Sequence, residues 1–264
     1  MNIETLVVTV DQHDYTLASH MHIQTPAVIG NQADHEREET TLVDGHPVLW
    51  LTDTARGVGR NRNKVLDRAT ADICVWADDD MRFVDGYPQI VERAIEENPD
   101  ADVLVCNLLS SHNTRYTHTR VRRIHRYNYA RYGAARLVIR RESIVNAGIR
   151  FSHQFGGGAR YGSGEDTLFL HDCLKKGLKV VAVPYALATI ETNTASTWFR
   201  GYTEVYFRDK GALYACLYPR AAVFCCLRHL WKHRRRFRGV LSWRKALWCM
   251  RDGIREFRHE EKDV

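Results

Sequence analysis

The sequence predicts an α/β protein with a mostly parallel central sheet flanked by helices, followed by a basic helical C-terminal extension. Short β-branched apolar runs alternate with stretches of helical spacing from residue 3 to residue 184, which is typical of a parallel sheet covered on both faces. Charge divides the chain, because residues 220–264 contain 13 Lys and Arg against 5 Asp and Glu, whereas residues 1–219 contain 25 against 27. We therefore expect a nearly neutral body, residues 1–211, and a basic amphipathic extension, residues 212–264.

Local patterns predict each element of the body in order. Apolar, largely β-branched runs predict strands at Ile3–Val10, Ala27–Gly30, Val48–Leu51, Ile73–Ala77, Val103–Cys106, Arg136–Ile139 and Lys179–Pro184. Helical spacing predicts helices at Gly57–Ala69, Asp85–Glu97, Glu142–Asn146 and Asp166–Lys176. Pro99 follows the second of these helices, and Gly148 and Gly177 follow the last two, as residues that end helices do.

Composition and cysteine content exclude several classes of protein. The 264 residues are 44% hydrophobic and 27% charged, which is typical of a globular protein and not of a disordered or fibrous chain. The seven cysteines are odd in number and form no CxxC pair, so we expect reduced thiols and neither a disulfide framework nor a structural zinc site. The first ten residues lack the layout of a signal peptide, and no apolar run approaches the ~20 residues of a membrane span. We expect a cytoplasmic protein.

An acidic triplet, Asp78-Asp79-Asp80, follows directly on the predicted strand Ile73–Ala77. Three adjacent carboxylates repel one another at neutral pH, and oxygen ligands suit a hard divalent cation such as Mg²⁺ or Mn²⁺. Open α/β sheets also bind ligands outside the carboxyl ends of their strands. The pattern therefore indicates either a metal site or a solvated turn with an acidic helix cap.

A glycine-rich segment, residues 156–164, leads into Glu165 and Asp166 at the start of a predicted helix. Its glycines permit close approach of the backbone to a ligand. The two carboxylates are either capping and first-turn residues, which the helix dipole stabilises, or they include a general base that faces the metal.

Taken in order, these motifs resemble bacterial family-two glycosyltransferases, which have the nucleotide-sugar-binding GT-A fold. The resemblance spans residues 3–211. Residues 57–64, GVGRNRNK, look like the family's glycine-to-Arg-Asn helix start, where the arginine lies near the diphosphate of the donor; Arg62 and Asn63 match it. The acidic triplet resembles the metal-binding aspartate motif, and Gly164-Glu165-Asp166-Thr167 resembles the motif that supplies the catalytic base.

The resemblance implies a set of roles at the site. Asp78 and Asp80, or the last two aspartates, would hold Mn²⁺ or Mg²⁺, and Asp79 would lie on the donor side. Asp166 would be the base, with Glu165 holding acceptor hydroxyls. Where relatives have a base-contacting acid, this chain has Asn31 and Gln32, whose amides can pair with uracil; Val10 and Asp11 end the first strand beside the donor. The late histidine of many relatives has no counterpart in residues 189–194.

Two segments suggest the acceptor side. Residues 112–132 interleave arginine, histidine and tyrosine without an acid, which suits a lipid diphosphate and a stacked sugar, a solvated loop, or single-stranded RNA. Residues 197–202 are either a sugar platform or core. Of these partners, the interpretation favours a glycan or lipid-linked glycan acceptor and does not expect nucleic acid.

The basic extension contains one apolar helical stripe, because Trp243, Leu247, Met250, Ile254 and Phe257 follow a 4-3-4-3 spacing. Arg244, Lys245, Arg251, Arg255 and Arg258 flank it. Tryptophan with arginine on an amphipathic helix is typical of an interfacial membrane helix, and the alternative is that the stripe packs on the body. The charge excess favours an anionic membrane surface, so we expect a peripheral protein at the inner face of the cell membrane.

These interpretations predict a metal-dependent inverting transferase that moves a sugar from a nucleotide-sugar donor, a UDP-sugar, to a hydroxyl in surface polysaccharide synthesis. Two alternatives stay open. One is an inactive GT-A core that acts as a basic membrane or nucleic-acid adaptor. The other is a sugar-phosphate nucleotidyltransferase, although residues 11–14, DQHD, lack the basic glycine-rich loop that such an enzyme uses for a triphosphate.

Overall fold

A computed structural model describes residues 1–109, 117–190, 199 and 201–263. The chain divides into two compact units, one comprising the described residues of 1–153 and 165–195 and the other those of 154–164 and 196–264. This division differs from the predicted boundary between residues 211 and 212, which falls inside a helix, Glu204–Leu217.

The first unit is built on a sheet whose strands follow the order β3-β4-β2-β1-β5-β9-β7-β10-β6, with β8 paired to β10. Register places β4, β2, β1, β5, β7 and β10 in one direction and the other strands against it. The predicted fold class is therefore confirmed. The strands are β1 (Ile3–Val10), β2 (Ala27–Gln32), β3 (Arg37–Val43), β4 (His46–Asp53), β5 (Ile73–Asp78), β6 (Met81–Phe83), β7 (Val103–Leu109), β8 (Arg122–Arg123), β9 (Leu137–Arg140) and β10 (Val180–Ile190).

Both faces of this sheet are covered, which explains why its central strands are apolar throughout. In β1, Val7 belongs to one buried cluster, whereas Leu6 and Val8 belong to the cluster on the opposite face. The helices of the first unit are α1 (Thr16–His20), α2 (Val58–Arg68), α3 (Tyr87–Glu96), α4 (Arg141–Asn146) and α5 (Glu165–Lys175), with single 3₁₀ turns at Tyr129–Arg131 and Ala134–Arg136.

The β3–β4 hairpin is an element that the apolar patterns did not predict. Its turn is Asp44-Gly45, with φ angles of 49° and 83°, the left-handed conformation that tight hairpin turns require. β3 alternates exposed and half-buried side chains, so it has no apolar run to mark it. β6 and β8 were also missed, because strands of three and two residues are too short to show an apolar run.

The second unit is helical, with α6 (Glu204–Leu217), α7 (Ala222–His233) and α8 (Trp243–Asp263). Thr203 caps α6, because its hydroxyl accepts from the Tyr206 amide at 3.2 Å. α6 and α8 pack at close range through glycine: a Cβ on Gly211 would lie 2.0 Å from the Met250 carbonyl oxygen, and one on Gly253 would lie 2.0 Å from that of Arg208.

The predicted membrane-facing stripe of α8 is core only in its later part, because Trp243 is exposed and Leu247 is half-buried. Met250, Ile254 and Phe257 are buried, and the Phe257 ring lies 5.9 Å from that of Phe155 within the same unit. The periodicity of α8 was correct, but its apolar face packs on α6 because glycine lets the two helices approach. Among the described residues, no helix has both the length and the apolar character needed to cross a membrane.

Candidate active site

The candidate active site forms where β1 and β5 end side by side. Val8 of β1 is the register partner of Asp78 at the end of β5. The hydroxyl of Thr9 donates to Asp79 Oδ2 at 2.6 Å. The acidic triplet therefore lies at the carboxyl edge of two parallel strands, as the sequence predicted.

A buried guanidinium joins this triplet to the Glu-Asp pair. Arg62 Nη2 donates to Asp78 Oδ1 at 2.8 Å, and Nη1 donates to Asp166 Oδ1 at 2.7 Å and to Glu165 Oε1 at 3.3 Å. The Arg62 side chain is only 4% exposed, and its Cζ lies 5.2 Å from the centre of the Phe151 ring. Residues far apart in sequence are thus held in one cluster.

Contacts around the first turn of α2 hold the helix, and with it Arg62, in place. The Gly57 amide, just before the helix, donates to Gln32 Oε1 at 2.7 Å. Asn61 Nδ2 donates to the Gly30 carbonyl at 2.7 Å, and a Cβ on Gly30 would lie 2.1 Å from Asn61 Oδ1. On the other side, a Cβ on Gly59 would lie 2.1 Å from the Ser152 carbonyl oxygen. α2 therefore packs so closely on its neighbours that residues larger than glycine do not fit at positions 30 and 59.

Burial and charge shift the pKa values of the cluster. Burial by itself lowers the pKa of Arg62, but the neighbouring Asp166, Asp78 and Glu165 carboxylates outweigh it and raise the pKa. Burial raises the pKa of Asp166 to about 7, although Arg62 acts in the opposite direction. A carboxyl group with a pKa near neutrality is suited to proton transfer.

The donor set fits a cation shared with phosphate oxygens. No group of three His, Cys, Asp or Glu side chains suited to a metal occurs in the described part of the chain. Mg²⁺ bound with a nucleotide takes only one or two protein carboxylates, however, and Asp78 and Asp80 can supply these. Burial, followed by the charge of Asp78, raises the pKa values of Asp79 and Asp80, and a cation would relieve this crowding of negative charge.

The amides predicted to contact the nucleobase are buried and hold neighbouring backbone. Asn31 Oδ1 accepts from the Gln12 amide and its Nδ2 donates to the Gln12 carbonyl, both at 3.0 Å. Gln32 Oε1 accepts from Gly57, as described above. Their contact with a base stays a prediction, and their established contacts shape the edge formed by β1 and β2.

At this edge Val10 is half exposed, and Asp11 has a φ of 52°. Sequence reasoning missed Arg56, whose Nη1 donates to the Gln32 carbonyl at 2.9 Å and lies 3.7 Å from Asp11 Oδ1. Its position immediately before the Gly57-Val58-Gly59 motif was the signal that could have identified it.

The side-chain amide of Asn63 is not free, because it forms hydrogen bonds with the backbone of Phe151. Its Nδ2 donates to the Phe151 carbonyl and its Oδ1 accepts from the Phe151 amide, both at 2.9 Å, and Nδ2 lies 3.0 Å from His153 Nε2. These bonds fix the segment whose aromatic ring lies beside Arg62. The predicted contact of Asn63 with the donor stays a prediction.

The end of the basic aromatic segment reaches the Glu-Asp pair. A Cβ on Gly133 would lie 3.2 Å from Asp166 Oδ2. Upstream, Tyr129 and Tyr132 are buried, whereas Tyr127 is exposed and lies under the Arg126 guanidinium at 4.7 Å. Among the described tyrosines of this segment, Tyr127 alone is available to stack on a sugar. Residues 112–116, 197, 198 and 200 lie outside the described residues.

The glycine-rich segment is anchored inside the second unit. The Gly162 amide donates to Asp209 Oδ2 at 2.9 Å. Gly164 has a φ of 131°, and a Cβ there would lie 2.8 Å from Leu213 Cδ1. Its glycines are thus needed for contact with α6. Glu165 and Asp166 occupy the first turn of α5 and also bind Arg62, so both interpretations of these carboxylates are compatible.

Comparisons with known proteins agree with the fold. Residues 37–154 match the family model described as glycosyl transferase family 2. A comparison with curated proteins found no match. The predicted resemblance to family-two glycosyltransferases with a GT-A fold is confirmed.

Solved structures of Staphylococcus aureus TarS share the fold. Residues 1–349 of TarS in complex with UDP-GlcNAc match with a TM-score of 0.61 and 14% identity, over 81% of this chain and 66% of that one. The same TarS fragment in complex with UDP gives a TM-score of 0.56 and 15% identity, over 81% and 65%. The chain thus spans slightly less than two thirds of the TarS chains, and at these identities the likeness concerns the fold.

Proposed function

We propose that the protein is a metal-dependent inverting glycosyltransferase that moves a sugar from a UDP-sugar to a hydroxyl of a glycan or lipid-linked glycan. The observation that carries the proposal is the placement of Arg62, which holds Asp78 of the acidic triplet and Asp166 of the Glu-Asp pair on one guanidinium. A displacement at a sugar carbon needs a metal ion to neutralise the negative charge of the leaving diphosphate, and a base to take the proton of the attacking hydroxyl. This cluster provides carboxylates that would hold the metal and a carboxylate that would act as the base.

The donor site would lie at the carboxyl edge of β1, β2 and β5. Asp78 and Asp80 would hold Mn²⁺ or Mg²⁺ together with the diphosphate, which makes the nucleoside diphosphate a better leaving group. Val10, Asp11, Asn31 and Gln32 would border the nucleoside, with Arg56 beside them. A uridine nucleotide is supported by the TarS structures, which are complexes with UDP-GlcNAc and UDP.

Asp166 would act as the base. It accepts the proton of the acceptor hydroxyl while that oxygen forms a bond to the anomeric carbon; the bond to the diphosphate oxygen breaks on the opposite face, and its electron pair leaves with UDP. One displacement inverts the anomeric centre. Glu165 would hold a second acceptor hydroxyl, and Arg62 is a positioning residue that sets the direction of both carboxylates.

The acceptor and its location follow from the basic segments. The exposed Arg122 and Arg123 of β8 suit the diphosphate of a lipid carrier, and an acceptor of that kind in surface polysaccharide synthesis would be met at the inner face of the cell membrane. We propose a peripheral association with that membrane.

The test is a screen for slow hydrolysis of UDP-sugars with manganese, coupled to calorimetric binding of UDP. We expect hydrolysis of one donor by the full-length chain, loss of hydrolysis in Asp166→Asn, and no change in Asp172→Asn, which alters an acid on the same helix. Failure to bind or hydrolyse any nucleotide sugar, with or without metal, would refute the proposal in favour of an inactive core.

A further inference from the structure

Large apolar side chains are exposed at high density on two helices of the second unit. In α7, Phe224 is 69% and Trp231 66% exposed, and Val223 and Leu227 are also exposed. In α8, Trp248 is 50% exposed. A surface with this many exposed apolar side chains in a short stretch marks an interaction site and is unusual for a solvated helix.

The exposed apolar row of α7 is not required for packing inside the unit. Cys226, His229 and Leu230 form the buried face of α7. Val223, Leu227 and Trp231 recur every four residues on the other face, one turn above the next. α7 is therefore apolar on both sides, and its outer side has no function in the core.

α8 has a second stripe, whose members each follow a member of the first by one residue and so lie about 100° around the helix from it. Arg244, Trp248, Arg251, Arg255 and Arg258 follow the same 4-3-4-3 spacing, and all are exposed. With Val223 of α7, they line a groove of about 550 Å³ whose floor also includes Leu247 and Ile254.

Part of the cationic charge of this groove has no acidic partner among the described residues. Arg255 pairs with Asp252 at 3.1 Å, and Arg258 donates to the Pro219 carbonyl at 2.5 Å. Arg244 and Arg251 have no acidic partner in the part of the chain that the structure describes. Guanidinium groups bind phosphates in a bidentate way, so two arginines in an apolar groove are suited to a phosphate that has hydrocarbon beside it.

We propose that the outer side of α7 and the arginine stripe of α8, together named the α7–α8 face, bind the surface of an anionic phospholipid bilayer. Phe224, Leu227 and Trp231 enter the headgroup region, while Arg244 and Arg251 contact lipid phosphates along the groove. Charge complementarity and tryptophan at an apolar–polar boundary favour this occupant. The inference deepens the proposed membrane location and does not depend on sugar transfer.

Two other occupants fit the face less well. A second copy bound through the same patch would bring the arginine stripes of both chains together, because such interfaces are self-complementary. Single-stranded nucleic acid stacks on aromatic rings, but it has no use for the aliphatic Val223 and Leu227. Aliphatic and aromatic side chains together suit acyl chains.

The test is flotation of the full-length protein with vesicles of equimolar phosphatidylglycerol and phosphatidylcholine, compared with phosphatidylcholine alone. Arg244→Gln with Arg251→Gln should weaken partitioning by about 25-fold, because each cation near an anionic bilayer contributes about fivefold. The charge-matched control is Lys175→Gln with Lys176→Gln, which removes two exposed lysines, the last residue of α5 and the residue after it. This control should change partitioning less than twofold, an expectation that rests on screening away from the bilayer.

A second pair of variants tests the apolar part. Phe224→Ser with Trp231→Ser should weaken partitioning by about tenfold or more, and the remaining binding should become more sensitive to salt. The matched control replaces Leu42 and Val145, two exposed apolar residues of the first unit, with serine and should bind as the parent does.

Several outcomes would overturn the inference. These are equal binding to both vesicle types, equal losses in control and test variants, or binding to a homopolymeric RNA that competes fully with vesicles. Concentration-dependent dimerisation abolished by the α7 variants would assign the face to a second copy. Because flotation does not need catalysis, absence of transferase activity with intact flotation would refute the proposed function and leave this inference standing.

Discussion

Arginine is used in opposite ways in the two units. In the first unit, Arg62 is buried and donates to three carboxylates. In the second unit, Arg244 and Arg251 are exposed and have no acidic partner among the described residues. A buried guanidinium has fixed partners and can only position them, whereas an exposed one remains available to a ligand. Charge therefore has a structural role where the sheet ends, whereas on α8 it is exposed and open to the ligand proposed above.

Arg62→Met removes the buried guanidinium and should have the strongest consequence of the changes proposed. Removal of one partner from a buried ion pair costs about 3–5 kcal/mol, because the remaining charge is left uncompensated. We expect a fall of that size in the free energy of unfolding measured with urea, together with loss of activity. Arg251→Met is the matched control on the exposed side and should stay within about 0.5 kcal/mol of the parent. Equal stability of the two variants would mean that Arg62 is not the link between the acidic motifs.

The next effect concerns the base that Arg62 positions. Asp166→Asn keeps the size of the side chain but removes its basicity, so turnover should fall by roughly 10²–10⁴-fold while UDP binding stays near normal. If Glu165→Gln is severe and Asp166→Asn is mild, the two roles are exchanged.

The second unit also contains a buried group that can become a cation, His229, and its protonation should make stability depend on pH. His229 has tyrosine partners, Tyr214 at 2.9 Å and Tyr206 at 3.3 Å. Burial, followed by nearby His233 and Lys210, lowers the pKa of His229 to about 3. Unlike Arg62, this side chain is therefore held neutral.

Because the folded-state pKa of His229 lies below the unfolded value, the unfolded chain binds the extra proton first on acidification. The free energy of unfolding should be constant for this group above pH ~6.5 and should fall by about 1.4 kcal/mol per pH unit as the pH decreases from there toward 3. Urea unfolding between pH 7 and 5 measures the slope, and His229→Asn should reduce it. The same slope in the variant would assign the dependence to other groups.

Loss of a metal ligand should change the affinity for UDP by less than the loss of the base changes turnover. Asp80→Asn removes one oxygen ligand beside the diphosphate, so the affinity for UDP in manganese should fall by about tenfold or more, with little change in EDTA. Asp85→Asn, an exposed acid shortly downstream, is the control for calorimetry. An unchanged manganese-dependent affinity in Asp80→Asn would exclude this aspartate from the metal site.

Local sequence predicted the elements of the site but not their contacts. The strand before Asp78 and the helix that begins at Glu165 were found because apolar runs and glycines mark them. The bond between Arg62 and Asp166 could not be derived, since it joins residues 104 positions apart and depends on how closely α2 packs. The periodicity of α8 identified an apolar face, but periodicity does not say whether protein or lipid covers that face. The close contacts of α6 and α8 at Gly211 and Gly253 show that protein covers its buried part. The sequence did not show that the apolar residues on the outer side of α7 are exposed, because their spacing is the same as that of a buried helical face.

The smallest effect tests how tightly the base is positioned. Gly133 has an extended backbone, with φ −89° and ψ 163°, so alanine is conformationally allowed there. Its new Cβ would lie 3.2 Å from Asp166 Oδ2, which requires the carboxylate or the loop to move by a few tenths of an ångström. Displacement of a reacting group lowers turnover even where chemistry is unchanged, so Gly133→Ala should reduce turnover by about two- to fivefold without a change in UDP affinity. Gly157→Ala is the matched control, because a Cβ at Gly157 meets no atom within 4 Å. Equal turnover of the two variants would show that the position of Asp166 does not limit the reaction, and the assignment of the base would then rest on Asp166→Asn alone.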